Sequence, residues 1–214
     1  METHLFLVRH GQSEGNAARR FGGHSDTPLS ELGKKQAVAT ARHLTKQRIS
    51  AVYSSDLLRT MQTAEPLAQL NNLQIESTNA FRERDVGVLS GLTFSEAETR
   101  FPLEHAALIN RDFDYVMRGG ESYRQMLTRA SGKLEEILGW HQGEKVAVFA
   151  HTGTICFLIL HLLGALIRPG ERFVWISTKN CGITHFEFRD KGLALLKTVN
   201  DTRHLSYLQK RHEP

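Results

Sequence analysis

Short apolar runs alternate with amphipathic helical patterns along the chain, and this alternation restricts the fold more than any other feature of the sequence. The runs Leu5–Val8, Ala51–Ser54 and Val146–Phe149 have the length and composition of buried β-strands. Helical spacing of apolar residues follows over Leu29–Leu44 and over Asp56–Leu70. Buried strands that alternate with helices are typical of βαβ units. The sequence therefore predicts an α/β fold, a three-layer sandwich in which helices flank a mostly parallel central sheet.

Capping residues and turn residues give the expected bounds of several elements. Ser30 is suited to cap the helix that starts near residue 30, and Ser122 to cap a long helix after it. Pro66 should kink or end the helix in which it lies, because proline has no backbone N–H. Late in the chain, two strands are expected to form a hairpin that turns at Asp190–Gly192.

Length and composition limit the class of protein. The 214 residues suffice for one sizeable domain, which we expect to span residues 1–214. The net charge of +4 suits an anionic small-molecule substrate. Lys and Arg are dispersed, however, so no nucleic-acid partner is expected. The apolar run Ile155–Ile167 is too short to span a bilayer, and no secretory signal is visible, so no membrane partner is expected either.

The two cysteines indicate the redox compartment. Cys156 and Cys181 show no CxxC spacing, and Cys156 lies in an apolar stretch. We therefore expect reduced thiols and a cytoplasmic location, although the sequence leaves a disulfide between them open. The oligomeric state is not fixed by the sequence, and a homodimer is one option.

Two predicted strands end in a histidine that is followed by a turn. Arg9-His10-Gly11 comes after the first strand, and His151-Thr152-Gly153 comes after Val146–Phe149. In open α/β sheets, ligands bind beyond the carboxyl ends of the strands. An arginine fork matches a phosphate face, and a neutral imidazole is a nucleophile at physiological pH. The two strand ends therefore predict one site for a phosphate.

The chain resembles the histidine phosphatase superfamily, also called the phosphoglycerate mutase-like family. The resemblance rests on stretches that follow the family's order and cover nearly the whole chain: LVRHGQSEGN, DTPLSELGKKQA, VYSSDLLRTMQTAEPLA, FRERDVGVLSGLTFSEAETRFP, GGESYRQMLTRA, VAVFAHTGTI and VNDTRHL. A single stretch of this kind would be weak, but together they are highly specific. The implied fold is the phosphoglycerate mutase-like three-layer sandwich.

The resemblance also implies a role for each matching residue. His10 matches the histidine that becomes transiently phosphorylated, and Glu83 matches the family's proton donor. The remaining matches are the two arginines that bind the phosphoryl group, Arg9 and Arg59, the second histidine of the pocket, His151, and a polar residue that lines the phosphate site, Asn16. No metal and no cofactor are implied.

Elementary chemistry supports these roles. Two arginines and a protonated second histidine would stabilise the charge of a phosphoryl transition state without a metal ion. A carboxyl group beside a phosphate dianion keeps its proton more readily, as a general acid must. If the stretch around Glu83 is extended, Arg82 and Arg84 point away from the face that Glu83 occupies. Asp85 is the nearby rival for the role of acid.

The predicted function is a metal-independent phosphomonoesterase that hydrolyses small phosphate esters through a phosphohistidine. A cofactor-dependent phosphoglycerate mutase is the first alternative, but such mutases usually have a longer insert between the acid and the second histidine. A non-catalytic binder of phosphate esters or phosphoprotein is the second alternative, and the intact set of catalytic residues disfavours it.

Several further residues are candidates for contact with the alcohol part of the substrate. Gly22 and Gly23 lie on the loop after the nucleophile, and Thr152 stands where glycine is common in the family and could add a hydroxyl donor. Arg111, Tyr115 and Arg118 are candidates in the segment 101–118, which covers the site in relatives. The other histidines, among them His24, His161 and His204, are interpreted as structural or surface residues.

Overall fold

A computed structural model describes residues 1–165, 174–189 and 193–209 of the chain. Its strands are β1 (Thr3–Arg9), β2 (Ala51–Ser55), β3 (Ile75–Thr78), β4 (Lys145–Ala150), β5 (Ile183–Arg189) and β6 (Leu193–Asp201). Its helices are α1 (Glu14–Ala17), α2 (Glu31–Thr45), α3 (Leu58–Asn71), α4 (Phe94–Arg100), α5 (Pro102–Ile109), α6 (Tyr123–Trp140), α7 (Thr152–Leu162) and α8 (Ser206–Gln209).

The strands form one six-stranded sheet in the order β3-β2-β4-β1-β5-β6. The pairs β3–β2, β2–β4 and β4–β1 are parallel, whereas β1–β5 and β5–β6 are antiparallel. The predicted α/β fold with a mostly parallel central sheet is thus confirmed. β1, β2 and β4 are neighbours and run in the same direction, so their carboxyl ends meet at one edge of the sheet.

Two apolar clusters cover the two faces of the sheet. On one face, Ala41 and Leu44 of α2 and Ala64 and Leu67 of α3 pack on side chains of β1, β2 and β4. On the other face, side chains of α6 and α7 do the same, including Leu134 of α6. Since side chains of a strand alternate between faces, the continuous apolar runs of β1 and β4 supply both clusters. This arrangement gives the three layers that the sequence predicts.

The expected helix caps are present, and of the two expectations for Pro66, a kink or a helix end, the helix end is not found. The Ser30 side chain accepts a hydrogen bond from the Gly33 N–H, and that of Ser122 accepts one from the Gln125 N–H. Pro66 lies inside α3, which continues to Asn71 instead of ending near the proline. The predicted antiparallel pair is present as β5 and β6. The turn predicted at 190–192 lies outside the described residues.

Candidate active site

His10 lies at the carboxyl end of β1 and is buried, with 4% of its surface exposed. Its Nδ1 is 2.7 Å from the Gly11 carbonyl oxygen. A carbonyl only accepts, so Nδ1 carries the hydrogen and Nε2 keeps its lone pair. Burial, then the charges of Arg59 and Arg9, lower the pKa of His10 well below its ordinary value. The ring is therefore neutral at physiological pH and has a free nucleophilic nitrogen.

His151 directly follows β4 and stands at the start of α7. Its ring centroid is 5.1 Å from that of His10, and its Nε2 is 3.0 Å from the Ser55 hydroxyl at the end of β2. Burial and the charge of Arg59 lower the pKa of His151 well below its ordinary value. This differs from the expectation of a protonated second histidine. The protein's own groups therefore favour the neutral form of His151.

Arg59 and Arg9 bring two guanidinium groups to the same place. Arg59, in the first turn of α3, donates from Nη1 to the Ser25 carbonyl oxygen at 2.7 Å and from Nη2 to that of Gly23 at 2.9 Å. Burial lowers the pKa of Arg59 to about 10, which leaves the group charged at neutral pH. Arg9 donates from Nη1 to the Thr178 carbonyl oxygen. Hydrogen bonds thus hold both guanidinium groups in place. Their positive charges lie close enough to His10 and His151 to lower the pKa of both rings.

Glu83 is held by main-chain N–H groups. Its Oε2 accepts from the Gly153 N–H at 2.9 Å, and its Oε1 accepts from the Arg84 N–H at 3.0 Å. The Glu83 carbonyl oxygen in turn accepts from His24 Nε2 at 2.9 Å and from Arg129 Nη2 at 3.0 Å. The carboxylate and its backbone are thus held by the adjacent residue Arg84 and by three other segments of the chain.

The charged residues next to Glu83 in the chain differ in their contacts and in whether they line the cavity. Asp85 does not line the cavity, and its Oδ1 accepts from the Gly87 N–H at 2.9 Å. Arg82 forms a 2.7 Å ion pair with Asp56. Arg84, by contrast, is buried and does line the cavity, with its guanidinium 4.0 Å from the centre of the Tyr123 ring. Residues 82–86 do not form a strand, so the condition under which both arginines would point away from the Glu83 face is not met.

One cavity of about 440 Å³ joins these groups. Every residue that the sequence predicts for the site lines it: Arg9, His10, Asn16, Gly22, Gly23, Arg59, Glu83, His151 and Thr152. Of the candidates in the segment 101–118, Arg111 lines the cavity, whereas Tyr115 and Arg118 do not. Arg118 instead pairs with Glu104 at 2.6 Å.

Sequence reasoning missed a group of residues that support the site. Asn180 Nδ2 donates to the His10 carbonyl oxygen at 3.0 Å and to Asn16 Oδ1 at 3.2 Å. The Thr178 hydroxyl donates to Thr152 Oγ1 at 3.1 Å, which leaves the Thr152 hydrogen free for another acceptor. Arg129 also belongs to this group, and so does His24, which sequence analysis interpreted as structural. No motif marks these contacts, because most of them go to main-chain oxygens.

Neither a metal-binding cluster nor a membrane-spanning helix is present in the part of the chain that the structure describes. Across residues 1–165, 174–189 and 193–209, no three His, Cys, Asp or Glu side chains are grouped so that they could hold a metal ion. None of the helices in those ranges combines the length and the apolar character that crossing a membrane requires.

The sequence model of the histidine phosphatase superfamily, branch 1, matches residues 5–202. Among curated proteins, phosphoserine phosphatase 1 of Hydrogenobacter thermophilus is 32% identical over 94% of this chain and 93% of its own length. Phosphoglycerate mutase-like protein 4 of Arabidopsis thaliana is 32% identical over 94% of this chain and 86% of its own. A metal-independent phosphoserine phosphatase of the same plant is 38% identical over 76% of this chain and 70% of its own.

Solved structures give the same picture. A mycobacterial glucosyl-3-phosphoglycerate phosphatase in complex with VO3 superimposes with a TM-score of 0.80 at 30% identity. The match covers 93% of this chain and 99% of the other. The likeness therefore extends over most of this chain and nearly all of the other.

Proposed function

Because this chain belongs to the histidine phosphatase superfamily, branch 1, we propose that it is a metal-independent phosphomonoesterase that works through a phosphohistidine on His10. Phosphatase activity is supported by relatives named as phosphatases over nearly the whole chain. The observation that carries the mechanism is the 2.7 Å hydrogen bond from His10 Nδ1 to the Gly11 carbonyl oxygen, since it leaves Nε2 as a neutral nucleophile between two arginines.

The first step transfers the phosphoryl group to the enzyme. Nε2 of His10 forms a bond to phosphorus while the bond from phosphorus to the alcohol oxygen breaks. Protonated Glu83 gives its proton to that oxygen, so the product leaves as a neutral alcohol. Arg9, Arg59 and the free Thr152 hydroxyl are placed to stabilise the charge that develops on the phosphoryl oxygens.

The second step returns the enzyme to its starting state. Glu83, now ionised, takes a proton from a water molecule, and the oxygen of that water attacks phosphorus. The bond from phosphorus to Nε2 breaks, and inorganic phosphate leaves. Glu83 ends protonated and His10 neutral, so no metal ion or other co-reactant is needed. The name of the metal-independent plant relative agrees with this chemistry.

Small esters such as phosphoserine are the first substrates to test, because two relatives are named for that activity. A mutase is the second candidate, since another relative is named as mutase-like. Both activities use the same phosphohistidine and differ in the group that accepts the phosphoryl. We place the reaction in the cytoplasm, which the two buried free cysteines Cys156 and Cys181 support. Whether the chain forms a homodimer, and whether it avoids nucleic acid, stay predictions.

His10→Ala tests the mechanism. We expect turnover of every ester to fall by more than about 10³-fold, because the nucleophile is gone. Incorporation of labelled phosphate, measured after an alkaline quench that preserves phosphohistidine, should disappear as well. His161→Gln is the matched control, since that ring pairs with Glu135 on the surface and lies outside the cavity. Near-normal turnover by the His10→Ala protein would refute the assignment.

A substrate panel with a chelator present separates the candidate functions. Chelator-resistant release of phosphate from 4-nitrophenyl phosphate and phosphoserine supports the phosphatase. Rapid exchange of 3- and 2-phosphoglycerate with little hydrolysis would support the mutase. Tight binding of esters without turnover would support a non-catalytic binder.

A further inference from the structure

Part of the cavity lining takes no part in the proposed catalytic steps, and we refer to it as the outer chamber. We use this name for the part of the cavity lined by Phe21, Phe94, Leu108, Ile109, Arg111 and Trp175. Phe94 is 51% exposed, whereas His10 is 4% exposed, so the chamber lies toward the mouth of the cavity. The rings of Phe21 and Phe94 pack with centroids 4.3 Å apart. Most of the wall is apolar, and a charged group placed against it would lose hydration without compensation.

Arg111 is the exception in this wall, and its side chain is held in place. The guanidinium lies 3.9 Å from the centre of the Trp175 ring, within the range of a cation–π contact. Its Nη1 also donates to the Tyr123 hydroxyl at 3.4 Å. The backbone of Arg111, just after α5, has φ +56°, in the left-handed region that ordinary residues rarely adopt. The guanidinium at the wall of the chamber is therefore in contact with two aromatic residues, Trp175 and Tyr123.

The charge of the cavity is far from balanced. Six arginines and a single carboxylate, Glu83, are found among the described residues that line it. Arg20 pairs with Glu96 at 3.2 Å. Arg84 is buried and donates to two main-chain carbonyl oxygens. No carboxylate from residues 1–165, 174–189 or 193–209 forms an ion pair with Arg111, so its charge stays available to a ligand.

We propose that Arg111, supported on the face of Trp175, binds a second anionic group of the substrate, a carboxylate or a second phosphate. This rests on the proposed phosphatase function, with the scissile phosphoryl group at Arg9 and Arg59. The preferred substrates are then phosphate monoesters of alcohols that carry an acidic group. The apolar walls force that group toward Arg111, because elsewhere in the chamber it would be desolvated and unpaired.

Arg19 is the rival for the same role, since it also lines the cavity and forms no ion pair with the residues that the structure describes. Its side chain is exposed, and none of the described aromatic rings lies under its guanidinium, so it loses more conformational freedom on binding an anion. A fixed, half-buried guanidinium also gives a stronger charge-assisted hydrogen bond than one in water. Arg111 is therefore the better anchor, and variants of the two residues distinguish them.

The test compares esters that differ in one anionic group. Phosphoserine and phosphoethanolamine differ only in a carboxylate. The esters 4-carboxyphenyl phosphate and phenyl phosphate also differ only in a carboxylate, which in this pair lies further from the phosphorus atom. A third pair, propane-1,3-diol bisphosphate and propyl phosphate, tests whether the second anionic group can be a phosphate. For each pair we measure the ratio of kcat/KM. The wild type should favour the more anionic ester of at least one pair, and Arg111→Gln should lower that ratio by about tenfold or more.

Two control variants make the result specific. Arg124→Gln removes another arginine that lies over an aromatic ring, 4.7 Å from Phe113, but outside the cavity. The ratio should stay the same in this variant. An unchanged ratio in Arg111→Gln for all pairs, or a loss seen in Arg19→Gln instead, would overturn the assignment. Absence of hydrolysis of every ester by the wild type would instead contradict the proposed phosphatase, which is a separate outcome.

Discussion

At the scale of single residues, Gly153 determines where the Glu83 carboxylate can lie. A Cβ atom on Gly153 would be 2.4 Å from Glu83 Oε1, which is far inside contact distance. The N–H of the same glycine donates to Oε2 at 2.9 Å. The missing side chain thus allows the first turn of α7 to bind the carboxylate closely. The family-like stretch VAVFAHTGTI contains this glycine next to the residues with assigned roles.

Gly153→Ala should therefore impair proton donation by Glu83. We expect kcat/KM for phosphoserine to fall by about 10²-fold, because the serine oxygen is a poor leaving group unless it receives a proton. For 4-nitrophenyl phosphate the loss should be much smaller, because the nitrophenolate leaves without a proton. Gly132→Ala in α6 is the control, since a Cβ there meets no atom within 4 Å. Equal losses for both esters would show that Glu83 does not act as the acid.

The residues that we propose act on the substrate were more predictable than the residues that hold them in place. His10, Glu83 and the others stand in stretches whose chemistry and resemblance mark them. Asn180 contacts the His10 carbonyl oxygen from 170 positions away, and Arg129 contacts the backbone of Glu83. Every residue has a main-chain carbonyl, so such a contact leaves no pattern of side chains along the sequence.

At the scale of the element, Pro66 stands in α3 with further helix on both sides of it. Proline there removes one main-chain hydrogen bond and disfavours the helix relative to alanine. Contacts of α3 with the sheet and with α2 outweigh this local preference, since Ala64 and Leu67 are fully buried in the core on that face. The sequence-based expectation of a kink or a helix end at Pro66 considered the local effect alone, and α3 does not end there.

Pro66→Ala should stabilise the protein. The gain in helix preference is about 3 kcal/mol, and the loss of rigidity in the unfolded chain offsets about 1 kcal/mol of it. We expect the free energy of unfolding, measured with urea, to rise by about 1–2 kcal/mol. Pro102→Ala serves as control, because Pro102 begins α5, where proline fits, and no gain is expected. A less stable Pro66→Ala protein would show that the ring itself packs favourably.

At the scale of the whole molecule, the histidines make folding sensitive to mild acid. Burial lowers the pKa of His185 to about 4 and, together with the nearby His43, lowers that of His204 to about 4. The unfolded chain binds a proton at each of these residues near pH 6.5, and the folded chain does not. Stability is therefore complete above pH 6.5 and is lost as the pH falls toward 4.

Urea unfolding at pH 7, 6 and 5 measures this effect. Each such histidine should lower the free energy of unfolding by up to about 1.4 kcal/mol per pH unit below pH 6.5. His204→Gln, which replaces the ring that bonds the Thr40 hydroxyl, should flatten the slope. His105→Gln in α5 is the control and should not flatten it. A slope that is the same in His204→Gln and the wild type would contradict this account.

The alternation of strands and helices predicted the sheet, but not the order of its strands. β4 inserts between β1 and β2, and β5 adds to β1 in the opposite direction. Strand order depends on which faces pack together over long distances in the chain, and local patterns do not encode that. The site was predictable at its strand ends because the rule that ligands bind at the carboxyl edge does not depend on strand order.

The central position of β1 has a consequence for how the protein is made. Both neighbours of β1 come late in the chain, and Arg9 at its tip bonds Thr178, 169 positions away. At synthesis rates of about 5–20 residues per second, the apolar strand emerges from the ribosome about 7–27 seconds before its first partner, β4. During translation this nascent segment is a natural target for chaperones, and His10, the proposed nucleophile, gains its surroundings only when the chain is nearly finished.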